Sequence, residues 1–279
     1  MPITHHPFNI EIGPVELTGF GIAVLAGFVI AQIIGTNELM RRGHKTAAEA
    51  MPDFVLAAVV GTLIGGKGYY AFLVAGDWRE LFSRAGFVFF GGFIGAVAFC
   101  WIVAHRKRLP FLRFADMGAI CIAAGYSVGR TGCWAVGDDY GRPWDGPLAV
   151  RFPEGVPPST AAWMNQTFGT PIPEGVSPGT VLSVHPTQLY ETTLAFFMFL
   201  LLWRFRNHRH AEGWLFGMYL VLAGAERFFI EFFRAKDDRG FMGLTLAQGI
   251  AVALVIAGIV VMQRLRTVGP GKPGILAAA

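Results

Sequence analysis

The chain alternates long apolar runs with polar connections, and the runs recur at lengths a soluble domain does not need. A helix that crosses a bilayer takes about 20 mostly apolar residues. Seven runs meet that pattern and predict spans at about 17–36, 54–75, 86–104, 115–129, 187–204, 213–233 and 243–263. The fourth is short and has room to begin earlier, near Leu109. One connection, residues 130–184, is much longer than an inter-helix turn. It carries Pro153-Glu-Gly-Val-Pro-Pro158 and Pro173-Glu-Gly-Val-Ser-Pro178, with one helical turn expected at Ala161-Ala-Trp-Met-Asn-Gln166. The pattern predicts an all-α integral membrane protein of about seven transmembrane helices. It forms one polytopic domain over 1–279, with 130–184 as an outward-facing extramembrane cap between spans four and five.

Composition strengthens this reading. Charged residues are 15% of the chain, against roughly 25% in soluble domains, and the mean hydropathy is +0.48. Loop charge then sets the orientation. Lys and Arg number thirteen in the tails and loops after spans one, three, five and seven, against eight on the opposite side. Basic residues collect on the cytoplasmic side, so the N-terminus is expected outside and the C-terminus in the cytoplasm. The net charge of +4 fits anionic membrane lipid and does not call for nucleic acid. No basic residue precedes the first run, so that run is expected to stay as a permanent helix. Three cysteines make no disulfide framework. No metal-ligand spacing is present, Cys133 has no sequence neighbour to ligate with, and neither metal nor cofactor is expected.

Charge inside the apolar runs marks candidate chemistry, because a charged group in lipid faces a cavity or a partner. Gly125 to Pro143 holds five glycines, Arg130, Arg142, Asp138 and Asp139, and reads as either a site or a loop just outside the bilayer. Glu226, Arg227, Glu231 and Arg234 lie near the outer end of span six. Spacings of four and three let Arg227 and Arg234 each pair with Glu231, as a site wall or as a self-neutralising ladder. His185-Pro186 opens span five, with Gln188, Tyr190 and Glu191 behind it, as functional groups or as capping with an interfacial tyrosine. Lys67 sits inside span two and needs a carboxylate, a carbonyl cluster or an anionic ligand. Gly91 and Gly92 open span three, where glycines serve close packing or approach to a phosphate. These charges gather at one membrane face, and no inverted repeat is visible, which argues against a transporter.

Four stretches in order resemble the prolipoprotein diacylglyceryl transferases. Gly129-Arg-Thr-Gly-Cys-Trp-Ala-Val-Gly-Asp-Asp-Tyr-Gly-Arg142 resembles the family signature G-R-x-G-N-F-x-N-x-E-x-x-G. His185-Pro-Thr-Gln-Leu-Tyr-Glu191 is similar to H-P-S-Q-L-Y-E, Arg227-Phe-Phe-Ile-Glu-Phe-Phe-Arg234 to R-F-x-x-E-x-x-R, and Gly91-Gly-Phe-Ile-Gly95 to G-G-L-I-G. The departures are Phe90 for a histidine before that last box, Cys133 and Val136 for two asparagines, Phe20 and Ala223 for tyrosines, and Lys67 for a frequent arginine.

The resemblance implies transfer of the diacylglyceryl group of phosphatidylglycerol to the lipobox cysteine thiol of a prolipoprotein whose signal peptide is still in the membrane. Glycerol phosphate leaves, and the active site faces the outer leaflet. The resemblance further implies catalytic roles for Arg130 and Arg227 on the phosphate, for Glu231 in orienting Arg227, and for Asp138 and His185. It places Lys67, Gly91, Gly92, Gly129, Gln188, Tyr190, Glu191 and Arg234 on the substrate side. A divergent paralogue that binds phospholipid, or moves a different lipid group without lipobox activity, is the alternative. The transferase reading requires Arg130, Arg227, Glu231 and His185 to converge.

Overall fold

A computed structural model describes residues 3–12, 15–83, 88–172, 174–235 and 243–266. Arg84, Lys236, Arg239 and Lys272 of the charge count, and Pro173, fall outside them, as does the side chain of Phe90. Each of the seven apolar runs contains a helix. α1 is Gly19–Arg41, α2 the short Lys45–Glu49, and α3 Met51–Tyr69, prolonged by a π-helical turn at Tyr70–Ala75. α4 is Phe89–Arg106, α5 Phe111–Val136, α6 Ala161–Phe168, α7 Thr187–Phe205, α8 Trp214–Ile230 and α9 Leu246–Arg264. Four helical segments are long and apolar enough to cross a membrane: Gly19–Arg41, Lys45–Ala75, Phe111–Val136 and Leu246–Arg264. Gly91–Arg106 is a shorter apolar helix. The protein is a mostly helical, multi-pass membrane protein.

Local chemistry explains the helix ends. The Thr18 hydroxyl accepts from the Gly21 N–H at 3.2 Å and starts α1. Thr245 and Gln248 form a reciprocal capping box at the start of α9. The fourth run differs most from expectation. α5 continues beyond 129 to Val136, and the long connection begins at Gly137, whose φ of 72° ends the helix in the left-handed region. Arg130 therefore lies within α5. Its polarity shortened the apolar run in sequence, but its side chain is partnered inside the fold, so the helix has no reason to stop there.

Among the described residues there are five short strands, two of them in the connection, where the sequence suggests extended pieces without placing them. β1 (Ile3–Thr4) pairs in parallel with β4 (Val150–Arg151), which pairs antiparallel with β5 (Ser183–Val184). β2 (Asn9–Ile12) and β3 (Val15–Thr18) form a hairpin that runs into α1. The N-terminal segment is thus tied to the 137–184 connection, whose own core is Tyr140, Val150, Phe152, Met164 and Val184. α6 covers the predicted helical turn and is capped by Thr160.

The helices pack as three close pairs, α1 with α5, α3 with α4, and α8 with α9, and α5 also carries α7. Small residues allow the approach. Gly61 and Gly65 of α3 face Gly95 and Gly91 of α4, and an added Cβ at any of the four would collide with opposing backbone or with the Tyr69 side chain. The first task of Gly91 is therefore packing, one of the two uses read from the sequence.

Polarity runs inside out. Leu25, Leu73 and Leu246 are 66%, 71% and 70% exposed, while Glu38, Asp116, Gln188 and Glu191 are buried. That is the arrangement of a bundle whose outer solvent is lipid. At the α7–α8 turn, Asp116 of α5 accepts from the N–H groups of Gly213 and Phe216 at 2.8 and 2.7 Å and caps α8 from another helix. His208 packs beside it, 3.8 Å from a carboxylate already engaged by those donors. Burial, then His210 and Arg42, push the His208 pKa down to about 4. The folded protein holds this ring neutral, whereas the unfolded chain takes up a proton from about 6.5 downward. Stability from His208 is therefore present above that value and lost as pH falls toward 4, by about 2 kcal/mol at pH 5. Thermal melts at pH 7 and pH 5 should show a smaller acid loss for His208→Gln than for the parent; an equal loss would refute the assignment.

Candidate active site

The site forms where the last turns of α5, the first turns of α7 and the end of α8 meet the start of the 137–184 connection. Arg130, 9% exposed, is its centre. Its Nη1 donates to Asp139 Oδ2 at 2.8 Å and to Cys133 Sγ, one turn on, at 3.2 Å. Its Nε pairs with Glu191 of α7. The Tyr126 hydroxyl, one turn before Arg130, donates to Glu191 Oε2 at 3.2 Å.

A second arginine joins from the end of α8. Arg234 lies 3.1 Å from Asp139 Oδ1 and 3.8 Å from both Glu191 and Glu231. Arg227 completes the chain through Glu231 at 2.8 Å. Arg130, Arg227 and Arg234 thus share three carboxylates in one continuous network. Buried charge is tolerated in that form, paired and hydrogen-bonded. Arg227 is the outlying member, with its side chain 34% exposed and one carboxylate partner.

Backbone contacts hold the anionic arm in place. Asp139 adopts a φ of 55°, a left-handed conformation that Asp tolerates better than most residues. Two side chains of α7 pin that turn. Thr187 donates to the Asp139 carbonyl at 2.6 Å, and the fully buried Gln188 donates to the Asp138 carbonyl at 2.5 Å. Arg142 N–H donates to the Phe233 carbonyl at 2.9 Å, and Arg142 Nε to the Arg234 carbonyl at 3.2 Å. Gln188 and Arg142 act as braces between the connection, α7 and the end of α8.

Sequence and structure differ over which aspartate is used. Asp138 stands at the signature carboxylate but makes no ion pair among the described residues; Asp139 bridges Arg130 and Arg234. Burial, then the neighbouring Asp139, push Asp138 up to about 6. Burial alone would raise Asp139 too, but Arg234 and Arg130 outweigh it and hold it below the usual carboxylate range.

His185 is placed differently from expectation. Its ring stacks on Trp144 at 4.3 Å and meets the edge of Phe233 at 5.2 Å, with Nδ1 3.3 Å from the Tyr190 hydroxyl. Among the described residues it makes no hydrogen bond or ion pair with the arginine network. Burial, then Arg142, lower its pKa and favour the neutral ring. Tyr190 goes with it. The expected convergence therefore holds for Arg130, Arg227 and Glu231, joined through Glu191 and Arg234, while His185 stands in an aromatic box alongside. Gly129, beside Arg130 on α5, has open space where a side chain would lie. Lys67 of α3 donates to the Ser83 carbonyl at 2.6 Å.

Cys133 has neighbours that its sequence position did not disclose. Its sulfur and the carboxylates of Asp138 and Asp139 lie within 4.8 Å of one another, a donor set with metal-ligand chemistry. The set does not suit a cation, because Arg130 already donates to both Cys133 and Asp139, and Arg234 adds a second positive charge. The arrangement instead suits recognition of an anion by guanidinium groups, the preferred partners of phosphate.

Comparison with known proteins agrees. The family model for prolipoprotein diacylglyceryl transferase matches residues 7–264. The chain is 31% identical over 265 residues to the phosphatidylglycerol–prolipoprotein diacylglyceryl transferase of Bordetella bronchiseptica, covering 90% of this chain and 92% of that protein. It is 29% identical over 290 residues to the enzyme of that name from Stenotrophomonas maltophilia (98% and 96% covered). For the one from Nitratidesulfovibrio vulgaris the figure is 28% over 265 residues (91% and 92%). With a match that spans the helices, the connection and the arginine network together, this chain belongs to the prolipoprotein diacylglyceryl transferase family.

Proposed function

We propose that the protein transfers the diacylglyceryl group of phosphatidylglycerol to the lipobox cysteine thiol of membrane-held prolipoproteins, releasing glycerol phosphate. The observation that carries this reading is the joining of Arg130, Arg227 and Arg234 through three carboxylates beside a lipid-facing bundle. The chemistry is alkylation of sulfur at a glyceryl carbon. A sulfur–carbon bond forms, the carbon–oxygen bond to phosphate breaks, and its electron pair stays with glycerol phosphate. Positive charge fixed beforehand in a dry site stabilises that departing phosphate. Arg227, with its partly exposed guanidinium, takes the phosphate, and Arg130 holds the charge that develops behind it. Glu231 and Glu191 aim the two guanidiniums, as second partners do at preorganised sites.

The orientation follows from loop charge: seven spans, N-terminus outside, C-terminus cytoplasmic, and the site at the outer leaflet of a bacterial inner membrane. Residues 137–184 then form a cap over the outer ends of the helices, inside a single polytopic domain. No nucleic acid or cofactor enters this scheme.

The test is transfer of labelled diacylglyceryl from phosphatidylglycerol vesicles to a synthetic lipobox peptide, read as thioether product and released glycerol phosphate. The purified protein is expected to give both in equal amounts. Phospholipid binding without thioether, together with failure to support cells depleted of their own transferase, would establish a divergent lipid-binding paralogue instead.

A further inference from the structure

The reaction proposed above needs a proton acceptor, because a cysteine thiol is mostly protonated at neutral pH and only the thiolate attacks. The network limits the choice. Asp139, Glu191 and Glu231 are each ion-paired with arginine, and Asp138 shares its carboxylate with the Cys133 thiol. Glu226 differs. Among the described residues it enters no ion pair, and its Oε1 is buried without a hydrogen-bond donor. An orphaned buried acceptor is costly and calls for an explanation.

Its position supplies one. Tyr219, Leu222 and Ala223 of α8 pack against a core cluster to which α5 gives Ile120 and Ala123, α7 Met198 and Leu202, and α8 itself Trp214 and Leu215. Glu226 follows them at helical spacings of seven, four and three, so it continues the face turned toward α5 and α7 and not toward lipid. The charged and titratable groups within electrostatic range are Tyr126 and Arg130 of α5, Glu191 of α7, Tyr219 and Arg227 of α8, and Arg234 just beyond it. Glu226 thus lies beside the network without being neutralised by it, one residue before the arginine assigned to phosphate.

Resting on the transferase reading, we propose that Glu226 is the catalytic base that accepts the lipobox thiol proton. The S–H proton passes to the Glu226 carboxylate. The sulfur electron pair forms the bond to the glyceryl carbon, and the carbon–oxygen bond electrons leave with glycerol phosphate. The proton then departs from Glu226 to the released phosphate or to water, which restores the carboxylate.

The test compares two lipobox peptides, one with cysteine and one with selenocysteine, whose selenol is ionised at neutral pH without help. Glu226→Gln is expected to slow the cysteine peptide by roughly 10²–10⁴-fold, the range for loss of a positioned base, and to leave the selenocysteine peptide near the parent rate. Raising the pH should recover the cysteine rate in Glu226→Gln as thiolate accumulates. A cysteine rate within about threefold of the parent, or equal slowing of both peptides, would overturn the proposal while leaving the transferase reading intact. A parent protein that transfers to neither peptide would overturn the transferase reading itself. Should Glu226→Gln fail to fold, Glu226→Asp is read by the same ratio of the two peptides.

Discussion

Arg130→Ala is expected to lower diacylglyceryl transfer by roughly 10³-fold, the scale for losing a group aimed at developing charge, and to weaken the fold as well. The second effect follows from burial. Glu191 is 2% exposed and pairs directly with Arg130. Removing the guanidinium leaves Glu191 with the more distant Arg234 at 3.8 Å and Tyr126. Breaking one side of a buried pair costs about 3–5 kcal/mol, mostly as the uncompensated charge of the partner. Asp139, held in the left-handed region, loses a partner at the same time. A double substitution separates the two roles. Arg130→Met with Glu191→Leu removes both charges and should restore much of the thermal stability, because apolar replacement of a buried pair is often neutral, without restoring transfer. If the double variant stayed as unstable as Arg130→Ala, the buried-pair account would be wrong.

Arg227→Ala should lower transfer by a comparable 10²–10³-fold yet cost less stability than Arg130→Ala, about 1–3 kcal/mol. Its side chain is 34% exposed and pairs within its own helix, four residues from Glu231. Glu231 is itself buried and loses its nearest partner, but it keeps Arg234 at 3.8 Å, and solvent around Arg227 screens the pair. The discriminating measurement is a melt beside a transfer assay for both arginines. Loss of activity with stability kept is the mark of a group reserved for substrate. A large loss of stability in Arg227→Ala would place it with Arg130 as a structural member. Arg227→Lys should recover only part of the rate, since lysine keeps the charge and loses the planar two-point contact.

The arginines of the network were identifiable before any coordinates. Charge in an apolar run is rare enough to be informative, and helical spacing alone paired Arg227 and Arg234 with Glu231. The choice between Asp138 and Asp139 was not legible. It depends on the turn after Gly137 and on Thr187 and Gln188, which are distant in sequence and hold the two carbonyls. His185 was placed with the arginines through its resemblance to the family's H-P box; its ring stacks instead on Trp144, forty-one residues earlier. Glu226 looked like one more rung of a ladder. Only the packing of α8 against α5 separates it from its paired neighbours.

By itself, then, the sequence determined that the chain is a helical membrane protein, where its helices lie to within a few residues, and which charged residues are out of place in lipid. Those follow from local hydrophobicity and from spacing along one helix, which near neighbours set. The tertiary structure decided which acids meet which arginines, that Arg130 lies in a helix and not a loop, and that Glu226 lies beside the network without an ion pair among the described residues. Those depend on how α5, α7, α8 and the 137–184 connection approach one another, and pairing across helices is governed by distances that no local pattern encodes.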